Sequence, residues 1–179
     1  MKKSYLVDDR IFLRAIEPED LDIIYEMENN PSFWSITNLT VPYSRYVIKE
    51  YIANTQSDMF ADKQLRLMIV CKEGNKVIGT IDITDYVPLH GRGGVGIAIL
   101  EEFRNQGLAF DAMNLLCEYA FNFLHMKQLY AHIPSENEAS LNLFTSCGFV
   151  RSGLLKEWLH TDDNTYADVV LMQYINPNS

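Results

Sequence analysis

Six residues in the middle of the chain, Arg104-Asn105-Gln106-Gly107-Leu108-Ala109, have the types and spacing to hold a diphosphate. An apolar run at 97–100 reads as a strand end in front of them, and an amphipathic helix is predicted to begin inside them. The first N–H groups of a helix have no partner within it, and the macrodipole is positive there. Such an end accepts phosphate oxygens. Gly107 places no Cβ between backbone and anion, Ala109 keeps its position small, and Arg104 adds a cation. A glycine-containing strand-to-helix turn is also a common connection, so the surrounding elements have to decide between a binding loop and an ordinary turn.

Those elements follow from the hydrophobic period. A strand is predicted over 10–16, then a helix from Pro18 carrying Leu21, Ile24, Tyr25 and Glu28 at helical spacing and stopped by Asn29-Asn30-Pro31. A second helix begins near Ser44 with Val47, Ile48, Tyr51 and Ile52 on one face. The period then drops to two. Leu65, Leu67, Ile69 and Cys71 alternate along a strand, and the turn 73–76 leads into a hairpin partner over 77–85. A third strand follows at 95–100, and a helix over 107–125 buries Ala112, Met113, Leu116, Ala120 and Leu124. Next come a strand at 128–133, a helix over 137–147 closed by Gly148 in the left-handed conformation, and two strands joined at Asp162-Asp163-Asn164. This order describes an α/β (α+β) fold, a mixed sheet covered by helices. No repeat or linker divides the chain, so residues 1–179 read as one domain.

Composition excludes several functions. A net charge of −9 with no basic stripe opposes nucleic-acid binding, and the apolar stretches are too short and too broken by charge to span a bilayer. The opening MKKSYLVDDRIF has no apolar run behind its lysines and is not expected to be a secretory signal. Cys71, Cys117 and Cys147 are odd in number and lack CxxC spacing, which points to reduced thiols in a cytoplasm. His90, His125, His132 and His160 are scattered, so no metal site is expected. Gly91-Arg92-Gly93-Gly94-Val95-Gly96 matches GxGxxG literally, but it leads into a β-rich run instead of opening a helix and reads as a flexible loop. Cys147, small and near a helix end, reads as packing and not as a nucleophile.

Arg104-x-x-Gly107-x-Ala109 resembles the pyrophosphate loop of the GNAT N-acetyltransferases. SENEASLNLFTSCGF, residues 135–149, resembles the second signature of that superfamily. The resemblance extends from Leu13-Arg14 and Glu19-Asp20 to the final hairpin. It is nearest to the branch of spermidine N-acetyltransferases and ribosomal-protein N-terminal acetyltransferases. It implies a mostly antiparallel sheet splayed at the cofactor strand, with helices on both faces. Acetyl-CoA is the implied cofactor, and a primary amine the implied acceptor, either a small amine or diamine or a protein N-terminus. Self-association as a homodimer or higher homo-oligomer is compatible with it.

The resemblance also implies roles. The backbone of Ile97, Ala98 and Ile99 would pair with the pantetheine arm, with donors near Ile99 polarising the thioester carbonyl. The amides of Arg104, Asn105, Gln106, Gly107, Leu108 and Ala109 would hold the diphosphate. Asn137, Ser140 and Phe144 would face the arm from the other side. Pro134 cannot donate to a ladder, so the splay is expected there. Phe144 replaces the usual tyrosine acid, which leaves an acyl-CoA sensor without catalysis as the alternative to an enzyme. Yet a thiol with a pKa of about 8.5 leaves readily, and a water, Tyr130 or Tyr166 would substitute for the missing phenol.

An attacking ammonium must lose a proton before it can react. Asp82, on the Thr80/Thr84 face of its strand, is the first choice of acceptor, and His132 the second. Phe33 and Trp34, with Asp82, are expected in the acceptor pocket. Two departures weaken a polyamine assignment. Gly94 stands where spermidine enzymes carry an acid, and Thr40-Val41 replaces their acidic pair before Pro42-Tyr43.

Overall fold

The computed structural model describes residues 4–31, 41–54, 58–161 and 163–178. One seven-stranded sheet runs through it. The strands are β1 (Ile11–Arg14), β2 (Leu65–Cys71), β3 (Lys76–Val87), β4 (Arg92–Ile99), β5 (Gln128–Pro134), β6 (Val150–His160) and β7 (Tyr166–Ile175). Their spatial order is β1-β2-β3-β4-β5-β7-β6. Every neighbouring pair is antiparallel except β4 and β5. The helices are α1 (Leu21–Glu28), α2 (Arg45–Asn54), α3 (Met59–Asp62), α4 (Leu108–Asn122) and α5 (Glu138–Ser146). None among the described residues is long and apolar enough to cross a membrane.

Strand parity sorts the two faces. Ile81 and Ile83 of β3, Ile99 of β4 and Leu129 of β5 point to the face covered by α4, which buries Ala112, Met113, Leu116 and Ala120 against them. Met68 and Val70 point the other way and pack against Ile24 of α1 and Ile48 of α2. The entry to α1 is pinned by Asp20, which is 4% exposed and accepts two bonds from Arg14 and one from the Glu17 amide. Burial alone would raise the Asp20 carboxyl. The Arg14 guanidinium and the Glu17 amide outweigh burial and hold it below its usual range.

Two expectations change. The stretch 91–96 is not a flexible loop, because Arg92 to Gly96 already belong to β4. Its glycines serve close packing: a Cβ at Gly93 would stand 2.7 Å from Ile83 Cγ2, and one at Gly94 2.9 Å from Thr84 Oγ1. The splay also begins earlier than Pro134. The β4–β5 ladder holds only Arg92↔Gln128, Gly93↔Leu129 and Gly94↔Tyr130, while Pro134 still registers with Val169 of β7. The missing proline donor is therefore not what parts the strands.

Candidate functional site

Where β4 and β5 separate, residues 95–99 keep their rungs to β3 but have none to β5. Beyond the end of β4 a short 3-10 turn at Glu101–Phe103 reverses the chain. Asn105 at φ 60° and Gly107 at φ 79° then aim the backbone into α4. Gly107 is the N-cap of α4 and supplies no side-chain cap. The leading amides of a fifteen-residue helix thus stand at the mouth of the gap.

Side chains brace this turn. Arg104 donates from Nε to the Ile99 carbonyl at 3.0 Å, so it fastens the loop to the end of β4. Gly107 meets a further demand: a Cβ there would stand 3.1 Å from Arg10 Nη2. The glycine leaves room for a guanidinium and supplies a positive φ. Across the gap, Asn137 caps α5 by accepting the Ser140 amide at 3.1 Å. A parted parallel strand pair beside an uncapped helix start, faced by a carboxamide, has the donors that an extended amide arm ending in a diphosphate requires. The residues fit coenzyme A.

Residues 10–150 match the family model described as Acetyltransferase (GNAT) domain. The chain belongs to the GNAT acetyltransferase family. A spermidine N(1)-acetyltransferase of Vibrio cholerae serotype O1 is 27% identical over 151 residues, covering 84% of this chain and 85% of the relative. Among solved structures, a spermidine N-acetyltransferase from Vibrio cholerae in complex with CoA and spermine superposes with a TM-score of 0.82. It is 25% identical and covers 94% of this chain and 97% of that one. A dodecameric structure of spermidine N-acetyltransferase from Vibrio cholerae gives a TM-score of 0.78 at 26% identity, covering 94% and 95%. This GNAT enzyme transfers an acetyl group from acetyl-CoA to a primary amine.

Its other predicted residues fall in different surroundings. Asp82 does lie on the face opposite Ile81 and Ile83, but it is not a solvated carboxylate. Its side chain is 16% exposed, and both oxygens are taken by Arg66, Nε to Oδ1 at 2.8 Å and Nη2 to Oδ2 at 3.0 Å. Arg66 also bonds Glu28 of α1. Burial pushes the Asp82 carboxyl up against the opposing pull of Arg66, and the two carboxylates keep the Arg66 guanidinium charged. A cavity of about 350 Å³ adjoins this triad, lined by Ile24, Glu28, Tyr43, Tyr51, Gln64 and Arg66.

His132 is exposed on the same face as Asp82, because Tyr130, two residues before it, registers with Gly94 and Gly94 with Thr84. Its ring lies edge-on to Tyr130 at 5.6 Å and stacks with Trp158 at 6.4 Å. Trp158 sits in a bulge of β6 gripped by Asp168, which accepts from Lys156 and from the Glu157 amide. Burial raises the Tyr130 phenol.

Phe144, expected beside the cofactor, is only 4% exposed and serves the stop of α5. The Phe149 amide donates to the Phe144 carbonyl and the Gly148 amide to Thr145, with Gly148 at φ 97°. This is a Schellman ending, and the Phe144–Phe149 ring contact at 4.9 Å is its apolar clasp. Burial pushes the Cys147 thiol up to about 11, as suits packing. Phe33 and Trp34 lie outside the described residues. Sequence reasoning missed Glu28, Arg66 and Trp158 as a group, because three distant elements bring them onto one face.

Proposed function

We propose that the acceptor is a small amine with more than one positive charge, a diamine or polyamine, acetylated by one domain spanning residues 1–179. The observation that carries this is the Glu28–Arg66–Asp82 triad, two carboxylates against one guanidinium, on the face where β4 and β5 part. The relatives named for spermidine support the same reading. Gly94 is no obstacle to it. An acid there would meet Thr84 Oγ1 and the Tyr130 ring, 2.9 and 3.4 Å from the position of a Cβ. Negative charge comes instead from the neighbouring β3 and from α1.

Acetyl-CoA supplies the activated acetyl group as a thioester. The amides of Ile97 and Ile99 line the arm, while that of Ala98 between them points to β3. Those of Asn105, Gln106, Gly107, Leu108 and Ala109 hold the diphosphate with Arg104 as a brace. Asn137 and Ser140 close the gap from α5. On the acceptor side Asp82, fixed by Arg66, draws in the ammonium by charge and positions it. The exposed His132 ring accepts its proton. Tyr130 Oη keeps its own proton at neutral pH, and Trp158 gives the cation an aromatic wall. The protein works in the cytoplasm as a homo-oligomer, as the dodecameric relative suggests.

Thiol release from acetyl-CoA across diamines, polyamines, amino acids, aminoglycosides and N-terminal peptides tests the acceptor class. Diamines or polyamines are expected to exceed a monoamine of equal length by about tenfold in kcat/KM, about 1.4 kcal/mol of extra charge recognition. Faster turnover of N-terminal peptides would overturn it.

A further inference from the structure

A side chain that bonds the cofactor loop comes from the edge of the sheet, three strands away from β4. Arg10 directly precedes the edge strand β1, and its backbone is held on both sides. Its amide donates to Asp8 Oδ1 at 2.7 Å, and its carbonyl accepts from the Lys72 amide at 2.9 Å. From this fixed base the guanidinium reaches the start of α4. Nη1 donates to the Gln106 carbonyl at 2.9 Å, and Nε to Asp111 Oδ2 at 2.7 Å. Nη2 lies 2.5 Å from the same Asp111 oxygen and 3.1 Å from where a Gly107 Cβ would be.

We infer that Arg10 is the positioning residue of the diphosphate loop. Its fork spans the turn from Gln106 to Asp111 and so encloses the segment whose leading amides face the gap. One guanidinium ties the last carbonyl before the left-handed Gly107 to a carboxylate in the first helical turn. Only a planar, multiply donating group satisfies both acceptors at once. The Arg10 side chain is half exposed, so the ion pair by itself contributes little to global stability. Its effect is local: without it the turn at 105–107 keeps its sequence but loses the tie that fixes where the amides point. Gly107 is thereby needed on two sides, for its own φ and for the space the guanidinium takes.

The inference rests on the reading of this loop as the diphosphate site, and the test separates the two. Turnover is measured with acetyl-CoA and with the acetyl thioester of N-acetylcysteamine, which has no diphosphate. Wild type is expected to prefer acetyl-CoA strongly. Arg10→Ala is expected to lower kcat/KM for acetyl-CoA about tenfold through KM, the loss of a charge-assisted contact, and to leave the truncated thioester within about twofold. Asp111→Asn shifts the same ratio in the same direction. Arg10→Lys, which keeps the charge but reaches only one acceptor, falls between and serves if Arg10→Ala does not fold. An equal loss on both thioesters, or no loss on either, overturns the role of Arg10. A wild type with no preference for acetyl-CoA overturns the diphosphate reading itself.

Discussion

The cofactor end and the acceptor face of this enzyme are built by opposite rules. The cofactor end is contiguous: β4, a turn with two positive-φ residues and the start of α4 follow one another within residues 92–122. In the proposed function backbone amides do the binding there, and side chains such as Arg104 and Arg10 hold the turn in shape. The acceptor face is assembled from afar, with Glu28 from α1, Arg66 from β2, Asp82 from β3, His132 from β5 and Trp158 from β6. In the proposed function side-chain charge and aromatic surface do the recognition there. A loop of backbone donors accepts the same cofactor whatever its side chains, whereas an assembled face changes its substrate with any one of its contributors.

If the two regions are separable, a change that loosens the acceptor face leaves the cofactor in place. Asp20→Asn is the largest such change, because it breaks the buried pair with Arg14 that pins the entry to α1 and, through α1, Glu28. Breaking a buried pair costs about 3 kcal/mol, read as a lower midpoint in chemical denaturation. KM for the amine should rise while that for acetyl-CoA stays. The Asp20 carboxyl is held below its unfolded value near 3.8. Its contribution is therefore complete above that pH and lost as the pH falls through the lower folded value. Wild type should lose this share of its stability on acidification below about 3.8 and Asp20→Asn should not.

A sharper cut falls within the acceptor face. His132→Ala removes the proposed proton acceptor and should lower kcat about 10²-fold at neutral pH, with partial recovery at high pH where more amine is already deprotonated. Asp82→Asn keeps the shape and removes a charge. Its smaller effect, about tenfold, should appear in KM for the amine. A reversed order, with Asp82→Asn losing 10²-fold in kcat and regaining it at high pH, would make Asp82 the base despite its Arg66 clamp.

The sequence was readable where the information is local. The turn into α4 at 104–109 and the Gly148 stop stand as expected, because each depends on a few neighbouring residues and a fixed φ requirement. The glycines at 91–96 misled, since glycine serves loops and tightly packed strands alike and only the Ile83 and Thr84 side chains across the hairpin decide which. Phe144 has a further commitment that its place in the signature does not spell out: its ring contact with Phe149 clasps the helix stop. Asp82 was placed on the correct face by its period of two. The Arg66 clamp needs the register Arg66↔Asp82, which pairs strands sixteen residues apart.

Amide hydrogen exchange over residues 95–110, with and without coenzyme A, tests the central claim most directly. Bound coenzyme A should slow exchange at 95–99, where β4 has no rung to β5, and at 105–110, where α4 begins without a side-chain cap. The truncated thioester should slow only the first stretch. Coenzyme A that binds yet leaves 105–110 exchanging at the free rate would contradict the account.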